Sequence, residues 1–178
     1  AMRLARYFGT YHYGTESSVA CRKGSLLAEQ LVFGCEYAGG GCGPKTKSFM
    51  VMATNGAWSK PHGWWNMISA AKQRGVNIIV IDARRTKVAE LATIHLQPKQ
   101  GTDAALGAGI CRVLFEEGLY NKPFCDKWVY GVEEYRNYCK DFTPEKTEAI
   151  TGVPADLIVK AARMYAEGPG SFALTSQS

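Results

Sequence analysis

Two apolar runs constrain what this chain can fold into more than any other feature. "FMVMA" (Phe49 to Ala53) is continuous, and "VNIIVID" (Val76 to Asp82) is broken only by Asn77 before its acidic end. A strand with one wet face alternates apolar and polar residues, whereas a run without alternation reads as a strand covered on both faces. Between them, "WWNMISAAKQRG" carries Trp64, Met67, Ile68 and Ala71 at the i, i+3, i+4, i+7 spacing of a helix face, and Gly75 supplies the stop. Two buried strands joined by one helix make a βαβ unit, which requires a parallel sheet and a right-handed crossover. The expected fold class is therefore α/β, a Rossmann-like parallel sheet flanked by helices.

The rest of the chain extends the pattern. A helix is expected from Ser17 to Val32, capped by Ser17 or Ser18 and interrupted at Gly24. Residues 35–48 read as a glycine-rich loop, and "TNGAWSKPHG" as a second loop. After the second strand come a short helix around Val88 to Leu91 and a short strand, "TIHLQ". A long helix follows in "GTDAALGAGICRVLFEEGLY", capped by Thr102 or Asp103 and ended by Gly118. Thr143 and Pro144 are ordered as N-cap and first helical residue. "VPADLIVKAARMYAEG" opens in the same way, with Leu157, Ile158, Ala161, Ala162 and Tyr165 on one face and Gly168 closing it. "SFALTS" reads as a fourth strand, and a buried strand there leads us to expect a continuation of the chain in its natural context.

Composition narrows the function classes. At 178 residues, 46% hydrophobic and 21% charged, the chain is one globular domain with a real core. The net charge of +5 is modest and dispersed; it suits phosphate-bearing ligands but is more often plain solvation of the surface, and it gives no clustered patch for nucleic acid. No apolar run reaches the ~18 residues of a membrane-spanning helix. The six cysteines form no CxxC. Cys35 and Cys42 flank a glycine loop, but zinc would need two more close ligands, with His62 the one candidate downstream. Cys111 and Cys139 sit among apolar residues as core fillers.

In an open parallel sheet, ligands bind beyond the carboxyl ends of the strands. "TNGAWS", "DARRT" and "QPKQGTD" are the segments there. Thr54, Asn55 and Gly56 offer small side chains and backbone N–H groups suited to phosphate. Asp82 ends the second strand, where dinucleotide folds hold ribose hydroxyls. Arg84 brings a fixed fork for phosphate or a base edge, and Asp103 two parallel acceptors for a guanine edge. Each residue alone also has a structural reading: strand-end solvation for Asp82, a surface pair for Arg84 and Arg85, a helix cap for Asp103. GxGxxG is missing after the first strand, which argues against an ordinary NAD site. Cys21 lies early in a helix beside Arg22 and Lys23, both of which favour thiolate, a nucleophile or soft metal ligand; the alternative is a small buried residue.

At chain length, the sequence resembles the dimethyl sulfoxide reductase family of molybdopterin oxidoreductases. "ARYFGTYHYGTESSVACRKGSLLAEQLVFG", "ATNGAWSKP", "RGVNIIVIDARRTKVA", "LQPKQGTDAAL", "EEGLYNKPF", "GVEEYR", "FTPE", "ITGVPADLI" and "AARMYA" follow the family's phrases in order. The resemblance implies a molybdenum or tungsten bis-molybdopterin guanine dinucleotide cofactor, with Cys21 as metal ligand and catalytic residue. It implies cofactor contacts at Asn55, Ser59, Asp82, Arg84, Gly101 and Asp103. Residues 1–178 then form the central cofactor-binding domain, with 1–34 as the metal-ligand segment and 35–48 as the loop. The implied function is oxidation or reduction of a small substrate, with a non-redox hydratase or transhydroxylase of the same family, or a stand-alone guanine-nucleotide module, as alternatives.

The sequence departs from the family's phrases at Ala53 and Thr54 in place of one glycine, Gly56 in place of proline, Lys60 in place of a frequent histidine, and "DARR" in place of "DPRR". The iron–sulfur ligands of the family's N-terminal part and its second pterin domain are not in this sequence, so it is expected to be a fragment of a catalytic subunit that works with an iron–sulfur electron-transfer subunit. Substituting Cys21→Ala in the full-length subunit is expected to abolish both metal occupancy, read by elemental analysis, and turnover; survival of both refutes the ligand assignment.

Overall fold

The computed structural model of the chain describes residues 6–10, 23–34, 42–59, 61–168 and 171–175. The chain divides into two units, residues 1–40 with 177–178, and residues 41–176. In the first, helix α1 (Lys23–Phe33) ends at Gly34, whose φ of +72° lets its N–H reach the Gln30 carbonyl at 2.9 Å. Gly24 lies inside α1 rather than interrupting it. Cys21 and the expected start of this helix lie outside the described residues, as does Cys35.

The second unit is built on β1 (Ser48–Met52) and β2 (Asn77–Ile81), paired in parallel with Phe49 opposite Ile78 and Val51 opposite Val80. β3 (Ile94–Leu96) adds in parallel to β2, and β4 (Ser171–Thr175) adds in parallel to the other side of β1. The sheet order is β3-β2-β1-β4. All four strands match the sequence-based expectation.

Side-chain alternation sends β1 and β2 into two cores. Phe49, Val51, Ile78 and Val80 face α3 (Asn66–Gln73) and α4 (Lys87–Glu90), packing with Ile68, Ala71 and Val88. Met50, Ile79, Ile81, Ile94 and Leu96 face the opposite layer, α5 (Asp103–Glu116) and α9 (Ala155–Ala166), through Leu106, Ile110, Val113, Ile158, Ala161 and Ala162. The absence of alternation in the sequence is thus two cores sharing one sheet. Ser48 is tied to the same layer by its hydroxyl, which donates to the Met164 carbonyl.

Three local expectations change. The segment after β1 is not a plain loop: it holds the short helix α2 (Gly56–Ser59) and a π-turn, Pro61–Trp65, that runs into α3. At α5, neither expected residue caps with its side chain; Asp103 is the first helical residue, and the Thr102 hydroxyl donates back to the Lys99 carbonyl at 2.6 Å. At α9, Pro154 takes the cap position itself, and its ring has no acceptor to cap with. Thr143 does cap α8 (Pro144–Thr151), accepting from the Lys146 N–H at 3.2 Å.

Two further helices were not anticipated. α6 (Lys122–Trp128) is capped by Asn121, which accepts from the Phe124 N–H at 3.1 Å, and α7 (Val132–Cys139) starts after Gly131 at φ +77°. Neither has a long apolar period; an aromatic chain holds α7 instead, with Tyr135 edge-on to Phe115 at 6.2 Å and stacked on Tyr138 at 6.1 Å. Tyr135 lies beside the Cys111 and Cys139 thiols, and burial pushes all three groups up from their ordinary values. Both thiols therefore stay protonated at neutral pH; Cys139 is buried as expected of a core filler, whereas Cys111 is only partly buried.

α5 and α8 approach closely because Gly109 has no side chain: a Cβ there would sit 2.6 Å from Thr147 Oγ1 and 2.8 Å from its Cγ2. Thr147 is fully buried and cannot yield easily. Gly107, on the same helix, faces open space. Gly109→Ala is expected to destabilise by about 1–3 kcal/mol through overpacking, while Gly107→Ala stabilises by up to about 1 kcal/mol. Urea unfolding followed by far-ultraviolet circular dichroism separates the two.

Candidate functional site

The strand order locates the site. β1, β2 and β3 step in one direction across the sheet, and β4 lies on the other side of β1, so the winding reverses between β1 and β4. A crevice opens beyond the carboxyl ends of the strands at such a reversal, and ligands of open α/β sheets bind there. The segment at that point is Ala53, Thr54 and Asn55.

The chain leaves β1 under strain. Ala53 has φ +48°, the one non-glycine residue with positive φ among the described residues, and its N–H donates to the Ile81 carbonyl at 2.9 Å. A left-handed alanine costs about 1–2 kcal/mol. Thr54 then points inward, 2% exposed, and Asn55 follows it half-buried. Thr54 Oγ1 and Asn55 Oδ1 are both buried without a hydrogen-bond partner in the protein. Buried polar atoms are ordinarily satisfied, so two orphans on adjacent residues fit a ligand with its own polar groups. Ser69 Oγ on α3 is a third orphan.

The backbone of Asn55 starts α2, accepting from the Trp58 and Ser59 N–H groups at 3.0 Å each. Ser59 is exposed, and its hydroxyl donates to the Asn55 carbonyl at 3.1 Å. Gly56 permits this turn: a Cβ there would meet Trp64 Cβ at 3.1 Å and the Trp65 nitrogen at 3.2 Å. α2 packs beside α4, which joins the first segment to the second.

Asp82 follows β2 and is 9% exposed. Its Oδ1 accepts from the Arg84 N–H at 2.8 Å, closing an Asx turn. Arg84 and Arg85 are exposed, and among the described residues the Arg84 guanidinium has no ion pair. Beyond β3, Gly101 is exposed at φ +79° and Asp103 is exposed in the first turn of α5. The Lys99 N–H anchors this loop to the Thr151 carbonyl at 2.8 Å. Asn55, Ser59, Asp82, Arg84, Gly101 and Asp103 thus all follow carboxyl ends of three adjacent parallel strands. Cys21 lies outside the described residues.

This edge offers hydroxyl, amide, carboxylate and guanidinium groups, which suits binding of a polar, phosphate-bearing molecule. Among the described residues no group of three or more His, Cys, Asp or Glu could hold a metal ion. Cys42, at the far end of the glycine loop, accepts from the Arg74 guanidinium at 3.1 Å. A groove of about 690 Å³ along α8 and α9, lined by Glu145, Asp156, Lys160 and Arg163 among others, contains none of the expected site residues. Sequence reading missed His95 and Gln97, which bond the Asp82 and Ala83 carbonyls at 2.9 and 3.4 Å. Their polar alternation with Ile94 and Leu96 was the available signal.

No family model matches the chain. Among curated proteins it is 45% identical over 114 residues to acetylene hydratase of Syntrophotalea acetylenica, a match covering 62% of this chain and 16% of that protein. It is 43% identical over 102 residues to formate dehydrogenase H of Escherichia coli, covering 57% of this chain and 14% of that protein. Among solved structures, acetylene hydratase from Pelobacter acetylenicus superposes with a TM-score of 0.66 at 36% identity, covering 76% of this chain and 18% of that one. The chain therefore spans less than a fifth of the length of these relatives.

An unsatisfied buried hydroxyl costs about 1–3 kcal/mol. Thr54→Val, which keeps the shape and removes the orphan, is expected to raise the unfolding free energy of the ligand-free chain by about 1 kcal/mol in urea titrations.

Proposed function

We propose, since this chain belongs to the dimethyl sulfoxide reductase family of molybdopterin enzymes, that it is the part of a catalytic subunit that grips the guanine nucleotide end of a pterin cofactor. The observation that carries this reading is the pair of orphaned buried atoms, Thr54 Oγ1 and Asn55 Oδ1, at the point where the sheet's winding reverses. In the bis-molybdopterin guanine dinucleotide form, Asn55 and Ser59 would hold the phosphate-bearing portion. Asp82 would accept from ribose hydroxyls, Arg84 would lie against the base or phosphate, and Gly101 and Asp103 would receive the guanine edge.

When bound, the molybdenum or tungsten pterin supplies the reactive metal. The protein's part is to orient it and keep its nucleotide tail immobile. Cys21 would be the metal ligand from the protein. Residues 1–178 act in this reading as one cofactor-binding domain, with 1–34 carrying the metal ligand and 35–48 a glycine-rich loop. The full-length subunit would oxidise or reduce a small substrate, with electrons passing through iron–sulfur centres in a part of the subunit outside this sequence and in a partner subunit. The 45% identity to acetylene hydratase favours a second reading, a non-redox hydration on the same cofactor. Half a cofactor cradle lacks the groups for the second pterin, so the 178-residue chain alone is expected to be catalytically silent. No helix among the described residues is long and apolar enough to cross a membrane.

Calorimetric titration with guanosine 5′-diphosphate tests the cradle. The chain is expected to bind it, and Asp82→Ala to weaken binding by at least about tenfold, the scale of a hydrogen bond to a charged group. Equal affinity in the Asp82→Ala variant, or tighter binding of an adenine dinucleotide, refutes the assignment.

A further inference from the structure

Ile94 and Leu96 of β3 turn into the core shared with α5 and α9. Strand alternation therefore turns His95 and Gln97 to the other face, toward the loop that leaves β2. There the peptide groups around Asp82 are held from β3 at successive points. The Asp82 N–H donates to the Leu96 carbonyl at 3.1 Å. His95 Nε2 lies 2.9 Å from the Asp82 carbonyl oxygen, and Gln97 Nε2 donates to the Ala83 carbonyl at 3.4 Å. A carbonyl only accepts, so His95 carries its hydrogen on Nε2 and leaves Nδ1 free if neutral.

With both peptides pinned, the Asx turn is the remaining freedom, and Asp82 Oδ1 spends itself on the Arg84 N–H at 2.8 Å. Among the described residues, no donor reaches Oδ2. A carboxylate with one oxygen engaged by its own turn and the other unengaged is pre-set for a diol or amide donor, because the rotamer is settled before the ligand arrives.

We infer that His95 and Gln97 are positioning residues that clasp the Asp82–Ala83 peptides and so aim the second carboxylate oxygen of Asp82 at the ligand edge. This rests on the nucleotide reading above for what the oxygen meets, but not for the clasp itself. The side chains act through the backbone and touch no ligand.

The test uses the 178-residue chain and two readouts. Without ligand, amide hydrogen exchange at Arg84 reports the Asx turn, with the Ile79 and Val80 amides of β2 as internal references. His95→Leu is expected to speed Arg84 exchange about fivefold, the scale of one net hydrogen bond, leave Ile79 and Val80 protected, and weaken guanosine 5′-diphosphate binding by a similar factor. His95→Gln, whose amide nitrogen reaches the position of Nε2, is expected to restore both. Gln97→Ala removes an exposed side chain and threatens no core; it should speed Arg84 exchange about twofold, in keeping with its longer contact. Unchanged Arg84 exchange in both His95→Leu and Gln97→Ala overturns the clasp. Faster exchange together with nucleotide affinity that neither His95→Leu nor Asp82→Ala alters supports the clasp and overturns the nucleotide reading instead.

Discussion

The parallel pairing of β1 on both of its edges is the constraint from which the rest of the second unit follows. Ser48 to Met52 is bonded to β2 on one side and β4 on the other, so its backbone is satisfied entirely within the sheet. Phe49 and Val51 are fully buried in one layer, and Met50, 6% exposed, in the other. A strand held on four sides cannot shift register without moving two cores at once. That rigidity is what permits the chain to leave β1 through a left-handed alanine and two unsatisfied polar side chains. Such costs persist where the surroundings over-determine the backbone, and they gather where ligands bind.

The neighbouring strands repeat the same logic with less strain. The carboxylate that follows β2 closes its own turn, and His95 of β3, with Gln97 just after it, bonds that turn's peptides. The loop after β3 is tied to the end of α8 by the Lys99 to Thr151 hydrogen bond. Three segments of different chemistry are therefore presented from one edge by rigid elements, with the flexible side chains, Arg84 and Arg85, at the solvent side. An edge of that kind is suited to gripping an extended polar molecule.

Much of this was legible in the residues. The two uninterrupted apolar runs meant strands buried on both faces, and the spacing of Trp64, Met67, Ile68 and Ala71 meant the helix between them. Thr143 ahead of Pro144 marked a helix start, and the cap is there. What was not legible depended on long-range contact. α7 has no strong apolar period and is held through Tyr135, which packs edge-on to Phe115 of α5. Thr102 and Asp103 look like caps by composition, yet the Thr102 hydroxyl is taken by Lys99 because the preceding loop folds back. Gly109 reads as a weak point in a helix; only the approach of Thr147 explains it.

By itself, the sequence determined the fold class, the four strands, and which segments follow the strands' carboxyl ends, because hydrophobic period is local and survives in any context that buries it. Its chain-long resemblance supplied the family. Only the tertiary structure decided where the sheet's winding reverses, since the placement of β4 beside β1 is a pairing between residues more than a hundred positions apart. The same structure decided that Thr54 and Asn55 lack partners and that His95 and Gln97 reach the Asp82 loop. Whether a polar atom is satisfied is a property of its three-dimensional neighbours, and no spacing along the chain encodes it.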